Sequence, residues 1–107
     1  MAKAKGVGII VKIPLDSGWL SGKYDAESTF EDIRNRWSKS YILTRARLVK
    51  RVREILDNEK DLAQSAISFC LAYDAVSTVI PGSRSVAQLK ANLASTGRPV
   101  AKELVAR

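Results

Sequence analysis

The sequence predicts an α/β fold in which two parallel strands are accompanied by four to five helices. Three observations carry that expectation. Two short runs of β-branched residues, one ending near Ile13 and one at Val76–Ile80, are separated by about 60 residues, a span that suits a parallel crossover rather than a hairpin. Between them the apolar residues recur at helical spacing. The second run is followed by Pro81-Gly82 and then by Ser85 and Gln88, the spacing of a capping box at a helix start.

Val7, Ile9, Ile10, Val11 and Ile13 form a nearly unbroken β-branched run, the pattern of a strand covered on both faces. The basic start Met1-Ala2-Lys3-Ala4-Lys5 superficially resembles a signal peptide, but Lys12 interrupts the apolar run and no small-residue cleavage site follows, so a strand is expected. Pro14 ends it. Leu15 to Tyr24 carries two glycines and small polar residues and reads as a long loop at the strand's C-terminal end, where α/β folds hold their ligands. Phe30, Ile33 and Trp37 stand at i, i+3 and i+7 within Asp25 to Lys39, with Ser28 or Thr29 as cap of a short helix.

From about Thr44 to Leu56 a clearer helix is expected. Leu48, Val49, Val52, Ile55 and Leu56 fall within an arc of about 120° at helical pitch, with Arg47, Lys50 and Arg51 opposite. In the next helix, about Leu62 to Tyr73, only Gln64, Ser65 and Ser68 make a polar edge, so it should be buried on more than one side. After the second strand, Ser85 caps a helix with Val86, Leu89 and Leu93 on one face and Gly97 at its end, and Pro99 to Ala106 suits a last short helix. A right-handed crossover would set the helices on one face of the strand pair. That leaves the other face, both sheet edges and part of the Leu62 to Tyr73 helix to be covered by something else.

A chain of 107 residues is one domain and buries roughly 60 to 65% of its unfolded surface. Its 46% hydrophobic and 27% charged content indicates neither disorder nor a membrane span. The net charge of +7 attracts polyanions, whether nucleic acid or a phosphate-bearing cofactor. The single cysteine, Cys70, and the lack of histidine allow no internal disulfide and no Cys/His metal cluster, and a reducing cytoplasm is the natural assignment.

The stretch from Val79 to Asn92 carries the sharpest chemical signal. A strand turns through Pro-Gly into a capped helix with Arg84 at the turn. Free backbone N–H groups and the positive end of the helix dipole favour an anion there, and the neighbouring arginine points to a phosphate. On spacing alone, a solvated turn arginine is the competing account. Gly18 and Gly22 are equally consistent with turn glycines and with close approach to a ligand.

Two of these segments resemble the aldo-keto reductases, NAD(P)H-dependent oxidoreductases built on a (β/α)8 barrel. Val11 to Tyr24, with its Pro-Leu, Gly-x-Leu and Gly-Lys motifs, is similar to the family's seventh strand and following loop. Val79 to Asn92, with Ile-Pro-Gly-x-Arg, then Gln, then Asn, is similar to the eighth strand and its helix, and Leu62 to Leu71 resembles the helix between them. The resemblance covers the chain from Gly6 onward and implies a partial (β/α)8 barrel: the C-terminal quarter, residues 1–107, as a single fragment domain, either a truncated gene product or a separately encoded piece. It implies that Pro14, Leu15, Ser17, Gly18 and Leu20 line the pyrophosphate of NADP(H). Gly82, Ser83 and Arg84 would hold the 2′-phosphate, for which a guanidinium offers charge and forked donors, and Gln88 and Asn92 would reach the adenosine. Ala91 departs from the glutamate common in the family. The catalytic Asp, Tyr, Lys and His would come from earlier strands, Tyr24, Tyr41 and Tyr73 do not match the catalytic tyrosine, and so no catalytic residue is assigned and the chain alone is not expected to be competent.

Two other functions stand beside this one. The chain could be an assembly module that self-associates or docks on the remaining barrel portion through its strand edges. Alternatively its charge could serve non-specific nucleic-acid binding, although the Arg45, Arg47, Lys50, Arg51, Arg53 cluster reads first as the solvated face of an outer helix. Trp19, Trp37 and Tyr41 could stack bases, but Trp37 keeps core spacing and Trp19 sits in the loop after the first strand. Cys70 reads as a small core residue.

Overall fold

The computed structural model describes residues 1–57 and 61–97. The helix expected over Pro99 to Ala106 lies outside them. Two strands, β1 (Ile9–Lys12) and β2 (Val76–Ile80), pair in parallel. The described residues also form three α-helices, α1 (Lys39–Ile55), α2 (Leu62–Leu71) and α3 (Val86–Ala94), and four short 3-10 turns, one before β1, two between β1 and α1 and one after α3. This is the expected α/β architecture of a partial (β/α)8 barrel. The register sets Val11 against Val79 and Lys12 against Ile80, with one irregularity between Ile9 and Ile10.

β1 is shorter than the β-branched run. Ile13 leaves the extended region at φ 57°, a left-handed conformation that a β-branched residue rarely takes. The strand is also covered on only one side: Ile9 and Val11 are half-buried, while Ile10 is 63% exposed. The expectation of a strand covered on both faces is therefore corrected for the described residues, whose closest cover for the sheet is α2.

The helix expected around Phe30, Ile33 and Trp37 is a single 3-10 turn, Ile33–Arg36, capped by Asp32 rather than by Ser28 or Thr29. Ser28 is used otherwise. Its hydroxyl accepts from the Asp25 N–H at 2.8 Å, and the Asp25 carboxylate accepts from the Glu27 N–H, a local turn that competes with helix. Phe30 and Trp37 still pack together, with ring centroids 5.1 Å apart, while Ile33 is 75% exposed. The turn brought two of the three apolar residues inward without the helix that their spacing suggested.

α1 starts at Lys39, five residues before the expected Thr44, because the Ser38 hydroxyl accepts from the Tyr41 N–H and caps it. Leu48 lies on its exposed side and Val49 is buried. In α2, Ser68 belongs to the interior rather than to a polar edge: it is buried and donates to the Ser95 carbonyl at 2.9 Å. α3 is rotated relative to its apolar pattern. Val86, Leu89 and Leu93 face outward, whereas Asn92 and the following Ser95 are buried.

The main core lies beneath the loop after β1 rather than under the sheet. Trp19, Val49 and Leu62 are its buried centre, with Leu20, Tyr24, Phe30, Trp37, Ile42, Ala46, Val52 and Leu56 packed against it. Trp19 is fully buried and meets Tyr24, Phe30 and Trp37 with ring centroids 5.7 to 6.2 Å apart. Such rings bury large areas and contribute about 0.5–1.5 kcal/mol per pair beyond them. The loop is thereby anchored by its own tryptophan.

Candidate functional site

A groove of about 690 Å³ opens where the C-terminal ends of β1 and β2 deliver their loops. From the first loop it is lined by Pro14, Leu15, Ser17 and Gly18, and from the second by Gly82, Ser83, Arg84, Gln88 and Asn92. The two predicted clusters, far apart in sequence, thus face one space. Leu20 does not. It lines a neighbouring apolar cavity of about 390 Å³ between β1, α1 and α2, together with Val52, Leu62, Phe69 and Cys70.

The first wall is backbone held in unusual shape. Ile13, Asp16 and Ser17 have φ between 48° and 57°, and Gly18 has φ 102°. Each non-glycine residue in the left-handed region costs roughly 1–2 kcal/mol, so the turn persists only because its surroundings restrain it. The restraints are visible. The Asp16 carboxylate pairs with Arg45 of α1 at 2.8 Å. Arg34 donates from Nε to the Ser17 carbonyl at 3.1 Å, while its Nη1 holds Asp32 at 2.7 Å. Arg53 reaches the Gly22 carbonyl at 3.4 Å. Gly18 is glycine for two reasons, its φ and the ring of Tyr24, which lies 2.8 Å from where a Cβ would stand.

The second wall is the start of α3. Ser85 accepts from the Gln88 N–H at 3.2 Å. The reciprocal arm of the expected capping box has slipped by one residue, since the Gln88 side-chain oxygen accepts from the Arg84 N–H at 2.7 Å. Gln88 therefore shapes the turn that presents Arg84. Asn92, buried, donates to the Ser83 hydroxyl at 2.9 Å and braces the same turn from below. Gly82 differs from Gly18: its φ is not positive, and a Cβ there would meet nothing within 4 Å. Nothing among the described residues requires glycine at that position, and its missing side chain leaves the groove wall open to close approach.

The groove is cationic. Lys12, Lys23, Arg34 and Arg84 line it, with no carboxylate among the described lining residues. Arg34 has Asp32 as partner, whereas the Arg84 guanidinium makes no hydrogen bond or ion pair with the described residues. Lys23 and Arg34 were not singled out from sequence as site residues. Lys23 stood within the Gly-Lys motif and could have been read from it; Arg34 carries no sequence signal, because it reaches the groove only through the turn at Ile33–Arg36.

Other expectations meet the structure as follows. Arg47, Lys50 and Arg51 are exposed, as a solvated helix face requires, but Arg45 and Arg53 are half-buried and hold the loop. Trp19 is closed to any stacking base, and Trp37 packs on Tyr41 with ring centroids 5.2 Å apart. Burial pushes the Cys70 thiol up from its ordinary pKa, the opposite of what a reactive thiolate needs. Among the described residues no group of three or more His, Cys, Asp or Glu is placed to hold a metal, and no helix is long and apolar enough to cross a membrane.

The comparisons with known proteins bear on the family and the fold. An aldo-keto reductase from Bacillus halodurans, AKR11C1 in its apo form, superposes with a TM-score of 0.71 and 28% identity over 98% of this chain and 34% of its own. A protein of Arabidopsis thaliana described as a probable voltage-gated potassium channel subunit beta is 32% identical over 82% of this chain and 29% of its own length. The chain thus spans about a third of the length of the relatives it matches. The model of the "Aldo/keto reductase family" matches residues 1–107, and with that match over its whole length the chain belongs to the aldo/keto reductase family.

Proposed function

We propose that this chain is the NADP(H)-holding C-terminal portion, the seventh and eighth strand region, of an aldo-keto reductase-like oxidoreductase. The observation that carries the reading is the convergence of the two strand-end loops on one cationic groove, where among the described residues the Arg84 guanidinium has no partner and no atom stands within 4 Å of a Cβ at Gly82. A dinucleotide fits this donor set. Its pyrophosphate lies along Pro14, Leu15, Ser17 and Gly18, with Lys23 and Arg34 neutralising its charge. Its 2′-phosphate meets Ser83 and Arg84, and its adenosine lies toward Gln88 and Asn92. Leu20, set in the neighbouring cavity, supports the loop from behind rather than touching the cofactor.

The division of labour follows from the geometry. α3 turns the positive end of its dipole toward the phosphate, and Gln88 and Asn92 fix the turn so that Arg84 need not search for it. When bound, the cofactor supplies the hydride. The proton that the carbonyl requires comes from residues other than these, and supplying it contributes typically 10² to 10⁴ in rate. The bound cofactor and the chemistry of the complete enzyme are therefore separable, and cofactor affinity is the quantity to measure.

Titrating NADP⁺ and NAD⁺ against wild type and Arg84→Ala tests the assignment. Charged hydrogen bonds contribute about 1.5–3 kcal/mol, so the variant should lose roughly 10- to 100-fold in NADP⁺ affinity and change little toward NAD⁺. Equal NADP⁺ affinities in the two proteins, or no binding by wild type, would count against it.

A second reading, an assembly module, is favoured by one specific observation. Val86, Leu89 and Leu93 of α3 are 50 to 68% exposed, and Ile10 and Ile80 on the sheet are 63% and 56% exposed. These surfaces suit a further copy of this chain or the remaining portion of a barrel. Both readings can hold of one molecule, since Val86, Leu89, Leu93 and Ile10 line no part of the groove and only Ile80 is shared between the two surfaces.

A further inference from the structure

We propose that Arg45, on a helix that contributes no residue to the groove lining, sets the groove's affinity for a phosphorylated ligand by holding Asp16 and, through it, the left-handed turn Asp16–Gly18. The proposal rests on the NADP(H) reading of the groove. It assigns a positioning residue outside the site.

Ser17 and Gly18 line the groove and Asp16 precedes them, and all three have positive φ, 48°, 57° and 102° in order. Two of them are L-residues in a conformation that the chain abandons unless restrained. The Ser17 carbonyl is restrained by Arg34, but Arg34 itself lines the groove and a phosphate competes for its guanidinium. Within the turn the Gly18 N–H donates to the Leu15 carbonyl at 2.9 Å and the Ser21 hydroxyl to the Gly18 carbonyl at 2.6 Å, and the side-chain restraint that a ligand leaves alone is on the other side, where Arg45 Nη1 meets the Asp16 carboxylate at 2.8 Å.

Arg45 is not a loose surface cation. Its Nε donates to the Tyr41 hydroxyl at 3.0 Å, its guanidinium lies 5.0 Å from the centre of the Tyr41 ring, and Tyr41 packs on Trp37 of the core. The arginine is pre-aimed by the helix it sits on, so pairing with Asp16 costs little further ordering. Losing the pair lets Asp16 relax toward right-handed geometry, which moves the Ser17 and Gly18 backbone out of the shape that leaves the groove open. The fold should survive the loss, because the buried centre at Trp19, Val49 and Leu62 does not use Asp16. The ion pair is about one-third exposed on each side, and pairs of that exposure are worth at most about fivefold, or 1 kcal/mol.

The test uses Asp16→Asn, which removes the charge while keeping a residue that tolerates the left-handed region, together with Arg45→Ala and Arg45→Lys. NADP⁺ affinity is measured by titration, global stability by thermal melting, and the turn itself by the amide resonances and φ-sensitive couplings of Ser17 and Gly18. Asp16→Asn and Arg45→Ala should each weaken NADP⁺ binding about threefold to fivefold and shift the Ser17 and Gly18 resonances, with those of Val76–Ile80 unmoved. Arg45→Lys, which keeps the charge and gives up the Tyr41 contact, should bind within about twofold of wild type. Wild-type affinity in Asp16→Asn, unmoved Ser17 and Gly18 resonances, or an Arg45→Lys variant as weak as Arg45→Ala would each overturn the proposal. A wild type that binds no NADP⁺ defeats the cofactor reading and with it the role in affinity, whereas a wild type that binds and an Asp16→Asn variant that binds equally well defeat only the role of Arg45.

Discussion

Gly18 and Gly82 occupy opposite walls of one groove and are glycine for different physical reasons. At Gly18 a side chain is refused twice, by φ 102° and by the Tyr24 ring 2.8 Å from the Cβ position. Gly18→Ala should destabilise the fold by about 1–3 kcal/mol, as strain at a positive φ and overpacking usually do, and a lowered melting temperature would show it. At Gly82 no atom of the described residues lies within 4 Å of a Cβ. Gly82→Val should leave the melting temperature near wild type while weakening NADP⁺, because the new side chain fills space that only a ligand needs. If Gly82→Val lost stability and kept its affinity, the groove assignment would be wrong. The contrast also shows what a sequence conceals: both residues appear as glycine in a loop, and only the folded chain separates Gly18, where backbone and Tyr24 demand glycine, from Gly82, where the described residues do not.

Among the elements, α3 connects local sequence to the site most directly. Its cap was legible from Ser85 and Gln88, and the structure keeps the Ser85 half while passing the Gln88 half to the Arg84 N–H. Ser85→Ala should cost about 1 kcal/mol of stability, the usual worth of an N-cap, and should also weaken NADP⁺, since the first turn of α3 forms part of the groove. Thermal melting and a titration on the same sample would measure both. The strand pair was legible because β-branched runs and a long crossover leave few alternatives. The Ile33–Arg36 turn was not. Its apolar spacing matched a helix, but the Asp25 and Ser28 side chains take up backbone groups locally and the aromatic residues pack by tertiary contact. Arg34 was missed for the same reason, since its place in the groove depends on how that segment returns, which periodicity does not encode.

At the scale of the whole molecule, the groove and the apolar surface make separate demands. The loop after β1 is knitted to α1 by Arg45 and Arg53 and to the core by Trp19, and the loop after β2 is held by Gln88 and Asn92 of α3, so the groove is built from contacts within these residues. The outward face of α3 is not. Val86, Leu89 and Leu93 stand at i, i+3 and i+7 and are exposed by 68%, 50% and 61%, the apolar stripe that a helix ordinarily turns toward a neighbour. Replacing both leucines, Leu89→Lys with Leu93→Lys, removes that stripe where little packing is lost, so stability should stay within about 0.5 kcal/mol per site, and NADP⁺ affinity should hold because neither residue lines the groove. Association should change instead. Light scattering across a concentration series is expected to show wild type growing beyond the monomer mass and the double variant remaining at it. A wild type that stays monomeric at the highest concentration removes the assembly reading and leaves the groove as the functional surface of the described residues.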